Sequence, residues 1–374
     1  MKLRLAVIGL GSEWQSRYRP ALQLLQQCFD VRSVYTPASK RSRRFASELG
    51  ADCAMGFRSA IQRSDVDAVA FLESTWHGWL PVLAACHSGK AIFWGGRHLL
   101  DSSDDQMMRQ QIDESGVAFV AAFPRRFASA TLRMKELIAT RLGQPHLILC
   151  HHQISDAGQT PPGSMGLAAG VPDALACPDA AVRQELIELI DWCRYIVGRP
   201  IGHARSMTHH FEGVTESRED ASTGRSYSID RAPMDSARFA NTTGRRRHMA
   251  NALPAHQYRC LHLSFGAGEN ASAQPPVMAE IRCGDFLRPQ WNTSVGFRSP
   301  AAMQICCENG MAFLDPPGGL VWFDAAGQHI ESLESEMSVG EQMLTHFHRS
   351  VTSLVRRHND LDDLFAAARL LETA

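Results

Sequence analysis

Two glycines directly after the first apolar run are the clearest candidates for chemistry in this sequence. The run LRLAVI at residues 3–8 leads into GLGSEW at residues 9–14, and a helical pattern follows. Gly9 allows a tight turn, and Gly11 allows the backbone to approach a pyrophosphate whose charge lies at a helix N-terminus. The third glycine of such a pattern packs the helix closely on the strand, and Trp14 holds that position here. The spacing predicts a dinucleotide-binding turn with two of its three glycines.

A basic segment follows the second predicted strand, VRSVY. Dinucleotide sites usually have an Asp or Glu at this strand end for the ribose 2'-hydroxyl. Here Thr36 stands near the strand end, and Ser39, Lys40, Arg41 and Arg43 come next. A 2'-phosphate would meet no carboxylate and several cations, which predicts NADP, with NAD as the alternative. These arginines could equally be the solvated face of the next helix.

A second pair of glycines stands where another predicted strand ends. Residues 91–100 read AIFWGGRHLL, so the apolar run stops at Gly95 and Gly96, and Arg97 and His98 follow. Ligands of open α/β sheets bind at the carboxyl ends of strands, which is where these residues would lie. Arg97 could polarise an oxygen there as a fixed cation, and His98 could carry a proton.

The elements that position these turns follow from the apolar periodicity of residues 1–122. Short β-rich runs alternate with helical patterns, which is typical of βαβ units and a parallel sheet. We predict strands in LRLAVIG, VRSVY, DAVAFL, KAIFW and VAFVAAF, and helices at residues 18–27, 39–49, 57–63, 78–87 and 103–114. Nearly continuous hydrophobicity in the strands indicates helices on both faces of the sheet. Residues 1–122 are therefore expected to form an α/β Rossmann domain with a doubly wound parallel sheet.

Residues 123–374 have the pattern of an α+β domain with a mostly antiparallel open sheet. The predicted elements are a helix at 127–142, the strand HLILCHHQI, a helix at 180–197, strands at 201–211, 258–265, 277–283, 302–307, 311–314 and 320–323, and a helical hairpin from 341. The final helix could pack back on the N-terminal domain. Residues 156–179, rich in Gly, Pro and Ala, are expected to form a loop or a lid.

The order of these pieces resembles the glucose–fructose oxidoreductase, inositol dehydrogenase and MocA family over nearly the whole chain. The matching runs are SDVDAVAFL, HSGKAIFW, GVAFVAAFPRRFASATLRMKELI, LGQPHLIL, IDWCRYIVGRPI, ENGMAFLD, GLVWFDAAG and HFHRSV. PRRF with the helix after it is the most specific part. The resemblance implies an N-terminal Rossmann domain and a C-terminal open sheet that commonly forms subunit contacts. It also implies NAD(P)-linked oxidation of a sugar, cyclitol or related alcohol.

The same resemblance implies that the catalytic positions of the family are altered in this chain. The family strand ends in Glu-Lys-Pro, and aligning KAIFW places Gly95, Gly96 and Arg97 on these three positions. The family helix carries Asp and His four residues apart, and aligning IDWCRYIVG places Gln184 and Glu188 there. The chain has four lysines, at positions 2, 40, 90 and 135, and none is placed to replace the missing one.

A set of ionisable residues remains that could move the proton accompanying hydride transfer. Glu188 could be the acid or base if burial raises its pKa, and the further catalytic candidates are Arg97, His98 and His152. Only one of His151 and His152 can face the cleft, because neighbours on a strand point to opposite sides. Arg125, with Arg126, matches the arginine motif of the family. The residues expected to bind the cofactor are Gly9, Gly11, Ser12, Trp14, Thr36, Ser39, Arg41, Glu73, Ser74, Gly95, Gly96 and Arg125.

Composition excludes several classes of function. The formal net charge is −1 over 374 residues, which gives no field favouring nucleic acid or an anionic membrane. No apolar run is long enough to span a bilayer, and the ten cysteines contain no C-x-x-C pair, so we expect a reduced, cytoplasmic chain. A metal site built from His151, His152, His209 and His210 is rejected, since adjacent strand residues point apart.

The sequence therefore predicts an NAD(P)-dependent oxidoreductase of a sugar, cyclitol or related polyol or keto compound, with an atypical proton-transfer set. A homo-oligomer formed through the C-terminal sheet is expected, and the partner is a small molecule. The alternative is a catalytically inactive dinucleotide-binding sensor or structural homologue, which the loss of three catalytic positions favours.

Overall fold

Six parallel strands form the first sheet, which we call the N-terminal sheet. The computed structural model describes residues 1–73, 78–96, 102–153, 178–211, 256–266, 275–284, 301–333, 337–353 and 359–373. The first elements are β1 (Leu3–Ile8), α1 (Tyr18–Leu24), β2 (Phe29–Tyr35), α2 (Ser39–Leu49), β3 (Asp52–Cys53), α3 (Phe57–Ile61), β4 (Ala68–Phe71), α4 (Leu80–His87), β5 (Ala91–Trp94), α5 (Ser102–Ser115) and β6 (Phe119–Ala121). The strand order β3-β2-β1-β4-β5-β6 reverses between β1 and β4, the point where open α/β sheets bind ligands.

Eight strands form the second sheet, which we call the C-terminal sheet. The elements are α6 (Ser129–Leu137), β7 (Pro145–Gln153), α7 (Pro178–Val197), β8 (Ile201–Phe211), β9 (His256–Phe265), β10 (Val277–Gly284), β11 (Met303–Cys307), β12 (Gly310–Asp315), β13 (Gly319–Asp324), β14 (Gly327–Ser332), α8 (Val339–Thr352) and α9 (Asn359–Thr373). The order is β14-β13-β12-β11-β7-β10-β9-β8, and every pair except β7 with β10 is antiparallel. The predicted fold class, a doubly wound parallel sheet plus a mostly antiparallel one, is confirmed.

Helix α8 covers one face of the N-terminal sheet. Its residues Met343, Leu344 and Phe347 are buried in one cluster with Leu5 of β1 and Phe93 of β5. The Phe347 ring lies 5.5 Å from the Phe93 ring between centroids. The helix begins with a capping box in which Ser338 and Glu341 satisfy each other's backbone N–H groups. The chain thus returns to its first domain after completing the C-terminal sheet.

Helix α9 packs on the other face and links it to α7. Leu361, Leu364 and Phe365 of α9 join the cluster that contains Phe119 of β6 and Ile187 of α7. A division of the chain at residue 122 into domains 1–122 and 123–374 stays a prediction. The last two helices, α8 and α9, nevertheless both contact the N-terminal sheet, so residues far along the chain complete the packing of this sheet.

Several predicted element bounds differ from the structure for local reasons. The helix predicted at 127–142 is α6 up to Leu137 and then a π-helical turn at Ile138–Leu142. The short strand β3 and the edge strand β14 have no counterpart among the predicted elements. β3 has two residues, too few for an alternating pattern, and β14 is mostly exposed, so it lacks an apolar signal.

Candidate active site

The glycine turn after β1 packs against the end of β4. Gly9 has φ +76°, and its N–H donates to the Tyr35 carbonyl at 2.8 Å. A Cβ on residue 9 would lie 2.6 Å from the Glu73 Cβ, and a Cβ on residue 11 would overlap the carbonyl oxygen of Leu72. Both glycines are therefore required by the chain's own backbone, whether or not a pyrophosphate is bound.

A short 3₁₀ turn, Ser12–Trp14, follows the glycine turn. Helix α1 begins at Tyr18, as predicted, and ends at Leu24, three residues before the predicted end. Trp14 is fully buried and its ring meets Phe45 edge-on at 5.5 Å between centroids. The buried Trp14 side chain stands where the pattern has its third glycine. Its size prevents the close packing of helix on strand that a glycine would allow. The Trp14 side chain thus lies in the core, and the cofactor contact predicted for this residue stays a prediction.

Arg41 lies over the glycine turn from the neighbouring helix α2. Its guanidinium donates to the carbonyl oxygens of Leu10 at 3.1 Å and Gly11 at 3.4 Å. Among the described residues no carboxylate pairs with Arg41. Thr36 is buried and its N–H donates to Ser42 Oγ at 2.8 Å, which fixes the loop between β2 and α2. Ser39 begins α2, and its side chain lies outside the described part of the structure.

Glu73 brings a negative charge to the same turn. Its carboxylate accepts from the Leu10 N–H at 3.3 Å. This predicted cofactor-binding residue therefore holds the turn itself, and an approaching phosphate would meet a like charge on this side. Ser74, Arg97 and His98 lie outside the described residues.

Gly95 and Gly96 leave room at the carboxyl end of β5, and Tyr18 fills part of it. The Gly95 N–H donates to the Phe71 carbonyl at 2.6 Å. A Cβ on residue 95 would lie 2.8 Å from the Tyr18 Oη. The Tyr18 hydroxyl therefore lies beside position 95, where the family that this chain resembles has a glutamate side chain.

Arg125 organises a polar cluster on one side of helix α7. Its guanidinium donates to Glu188 at 2.6 Å and to Glu185 at 2.8 Å. Gln184 donates its side-chain amide to the second Glu188 oxygen at 3.1 Å. Residues 184, 185 and 188 share a face because three and four residues span about one helical turn. The Glu188 side chain is 16% exposed, so both carboxylate oxygens are bound in a mostly closed site.

The two strand-end histidines separate as the alternation of β7 requires. His152 points toward α7, where its Nε2 lies 3.2 Å from Glu185 and its Nδ1 lies 3.5 Å from Arg125. His151 lies on the opposite face. There burial lowers its pKa, the Arg282 charge lowers it further, and the Glu280 charge opposes both. Of the two, His152 is the one that belongs to the polar cluster.

Burial sets the protonation of this cluster. It raises the pKa of Glu188, and the opposing effect of the Arg125 charge is the smaller of the two. Burial also lowers the pKa of His152, while Glu185 acts in the opposite direction. Glu188 consequently keeps its proton to a higher pH than an ordinary glutamate, and the His152 imidazole stays neutral to a lower pH.

Arg126, the second arginine of PRRF, forms a separate structural cluster. It is 7% exposed and its Nε donates to Asp191 at 2.6 Å. Its Nη atoms contact Asp360 at 3.2 Å and Asp363 at 2.5 Å, both on α9. The Arg126 guanidinium also lies over the Phe123 ring, 4.4 Å from its centroid. Arg126 therefore ties α9 to α7, and Arg125 alone is available to the site.

The glycine turn fits the pyrophosphate of a dinucleotide, and Arg41 fits its adenosine end. The positive-φ Gly9, the closely packed Gly11 and the charge of Arg41 form the half of the site that would hold phosphate groups. At the neighbouring strand end, the Tyr18 hydroxyl and the Phe71 carbonyl lie close to Gly95. No group of three or more His, Cys, Asp or Glu side chains within the described ranges is arranged to hold a metal ion.

Sequence reasoning missed Tyr18 and Glu185 as neighbours of Glu188, whereas the family resemblance had already placed Gln184 four residues before it. A signal for Glu185 existed, since it lies three residues before Glu188 on the same helix. Tyr18 had none, because it occupies an ordinary apolar position of α1.

No described helix is long and apolar enough to cross a membrane.

Comparison with solved structures supports the fold over the full length of the chain. A dehydrogenase from Chromobacterium violaceum matches with TM-score 0.68 and 13% identity, covering 100% of this chain and 94% of that one. A UDP-N-acetylglucosamine 3-dehydrogenase from Acidithiobacillus ferrooxidans matches with TM-score 0.64 and 13% identity, covering 100% and 96%. A Synechocystis biliverdin reductase, solved with biliverdin and NADP⁺, matches with TM-score 0.64 and 11% identity, covering 99% and 97%. No protein-family model and no curated protein matches the sequence.

Proposed function

We propose that this chain is an NAD(P)-dependent oxidoreductase that acts on a sugar, cyclitol or related polyol or keto compound. The observation that carries the proposal is a buried carboxyl, Glu188, whose pKa is raised by burial and which Arg125 and Gln184 hold in place. The Tyr18 hydroxyl reaches Gly95, and Glu188 is close enough to raise the pKa of Tyr18, which supports a site shared by these residues. The oxidoreductases of the same fold support the cofactor class.

The chain's own residues divide the work of such a reaction. The bound nicotinamide supplies the hydride chemistry. Arg125 orients Glu188 through a 2.6 Å hydrogen bond, and Gln184 fixes the other oxygen. Glu188 exchanges the proton, while His152, held neutral by burial, is the second candidate. Arg97 and His98 remain catalytic candidates on the basis of their place in the sequence.

The test is turnover over a panel of sugars, inositols and their keto forms, followed as the change in NADPH absorbance in both directions. We expect turnover of at least one compound. Tight dinucleotide binding without any turnover would instead favour the alternative, a dinucleotide-binding sensor or structural homologue. Absence of dinucleotide binding would contradict both.

The proposed cofactor is NADP rather than NAD, on the evidence of Arg41. Hydrogen bonds to charged groups contribute about 1.5–3 kcal/mol, so Arg41→Ala is expected to weaken NADPH binding at least about tenfold. NADH binding should change by less than about threefold, because NADH has no 2'-phosphate. Fluorescence titrations of both cofactors measure this, with Arg44→Ala as the control, an exposed arginine of the same helix that pairs with Glu48. Tighter binding of NADH than of NADPH to the wild type would overturn the preference.

We also propose that the outer face of the C-terminal sheet forms a contact between copies of this chain. Strand register aligns apolar side chains across β7 and β10 to β14 on the face turned away from α7. The members of this outer apolar face are Leu147, Leu149, Met278, Cys306, Met311, Phe313, Val321, Phe323 and Ile330. Ile330 is 73% exposed and Phe323 37% exposed. Large exposed apolar patches are rare on monomers, and an isologous pair would cover this one.

Charge placed on the outer apolar face should separate the copies. The double change Phe323→Lys and Ile330→Lys would put two like charges on each partner, so we expect a dimer or larger species to become monomeric. Light scattering coupled to size exclusion measures this mass. Met55→Lys is the control, since Met55 is 95% exposed but lies outside this sheet. A monomeric wild type would contradict the proposal.

The proposal places the reaction in the cytoplasm with a small-molecule substrate. All nine described cysteines are free thiols, which fits a reducing compartment.

A further inference from the structure

Tyr18 is buried, with 2% of its surface exposed, and its hydroxyl lies at the carboxyl end of β5. Its ring packs edge-on against Phe93 inside the N-terminal domain, 5.9 Å between centroids. Its Oη extends from that core to the carboxyl end of β5, where a Cβ on residue 95 would be only 2.8 Å away. Any side chain at position 95 would displace the phenol. The glycine at this position is what lets the hydroxyl reach the strand end.

Three charged groups, Arg17, Glu188 and Glu13, influence this hydroxyl. Burial raises the pKa of Tyr18 to about 12, Glu188 raises it further, and a hydrogen bond and positive charge from Arg17 oppose them. The phenol is therefore protonated at neutral pH, and Arg17 would stabilise the phenolate left after a proton is given away. The Arg17 guanidinium is itself held by the Glu13 carboxylate, 3.3 Å away, and the Arg17 backbone packs closely against Gly340 of α8.

We propose that the Tyr18 hydroxyl is the proton donor to the substrate oxygen in the reducing direction; this inference rests on the proposed function. The substrate carbonyl carbon accepts a hydride, with its electron pair, from the reduced nicotinamide, and the C=O π bond opens. The carbonyl oxygen takes the proton from Tyr18 Oη. The phenolate regains a proton from the Glu188 carboxyl, which is reprotonated from solvent. In the oxidising direction the same transfers run in reverse.

The first test needs no substrate. The chain has five tyrosines, so protein labelled with ¹³Cζ-tyrosine gives few resonances, and the one missing from Tyr18→Phe belongs to Tyr18. We expect saturating NADP⁺ to shift this resonance and to leave the Tyr195 resonance, assigned with Tyr195→Phe, in place. A Tyr18 resonance unmoved by bound NADP⁺ would overturn the inference and leave the proposed function standing. If NADP⁺ does not bind at all, both fall.

The second test is turnover of the compound reduced by the wild type. General acid catalysis contributes about 10²–10⁴-fold, so Tyr18→Phe should lower kcat by about that factor at every pH. The Kd for NADPH should stay within about threefold, because the ring and its contact with Phe93 remain. Tyr195→Phe is the matched control, since it removes a hydroxyl outside the site. A kcat of Tyr18→Phe within threefold of the wild type would contradict the proposal.

Discussion

Replacing Arg126 with methionine is expected to lower the free energy of unfolding by about 3–5 kcal/mol, because it leaves the buried Asp191 carboxylate without the cation that hydrogen-bonds to it. Asp191 is 2% exposed and receives both a 2.6 Å hydrogen bond and a second contact from Arg126. Asp360 and Asp363 of α9 would lose the same partner. Urea unfolding followed by tryptophan fluorescence measures the loss.

Arg133→Met provides the comparison for this large effect. Arg133 also bridges two carboxylates, Glu136 and Glu331, but its side chain is 30% exposed. Solvent screens such pairs, so we expect a cost of about 1 kcal/mol or less. Equal costs for the two variants would show that burial of the Arg126 cluster has no special role. A second check is Arg126→Met combined with Asp191→Leu, which should be less destabilised than Arg126→Met alone.

Glu188→Gln is expected to lower kcat for reduction by about 10²–10⁴-fold, the usual contribution of a proton-transferring side chain. Glutamine keeps the shape and can still accept from Arg125, so NADPH binding and folding should be preserved. Stopped-flow or steady-state kinetics on the compound found in the substrate panel would measure the loss. Glu136→Gln is the control, since Glu136 is an exposed glutamate on α6. A variant as active as the wild type would remove Glu188 from the mechanism.

The pH dependence of Glu188 has a definite sign. Burial raises its pKa above the ordinary value of 4.5, so the protonated form persists to higher pH. Reduction consumes this proton, so kcat should be constant at low pH and fall as the pH rises through the raised pKa. Because the folded pKa exceeds the unfolded one, the contribution of Glu188 to stability is also full below 4.5 and is lost over the same rise. In Glu188→Gln, neither kcat nor stability should show this fall with rising pH. In Tyr18→Phe, kcat should be lower at every pH but should still fall as the pH rises.

The sequence predicted the elements whose signals are local. Helix α2 has the predicted bounds, because its apolar positions repeat at helical spacing and Gly50, with φ +65°, ends it. The parallel order of the N-terminal sheet also followed from alternating strand and helix patterns. His152, rather than His151, faces α7, as the two-residue period of a strand requires.

The site was less predictable because its contacts join distant residues. Arg125 and Glu188 are 63 positions apart, and no periodicity indicates that they meet. Trp14 looked like part of a cofactor turn by spacing, yet its size takes it into the core beside Phe45. Tyr18 depends on a glycine 77 positions later in the chain, since only the absence of a side chain at 95 admits its hydroxyl. Such pairings are properties of packing and not of local pattern.

The return of α8 to the first sheet has a consequence for how the chain is made. Synthesis proceeds from the N-terminus, and early domains generally fold as they emerge. Here α1 and α2 cover part of the face that carries Leu5 and Phe93, but Phe347 leaves the ribosome more than 250 residues after β5. The part of this face that α8 covers would stay open during that interval, so we expect a chaperone to bind the nascent chain there.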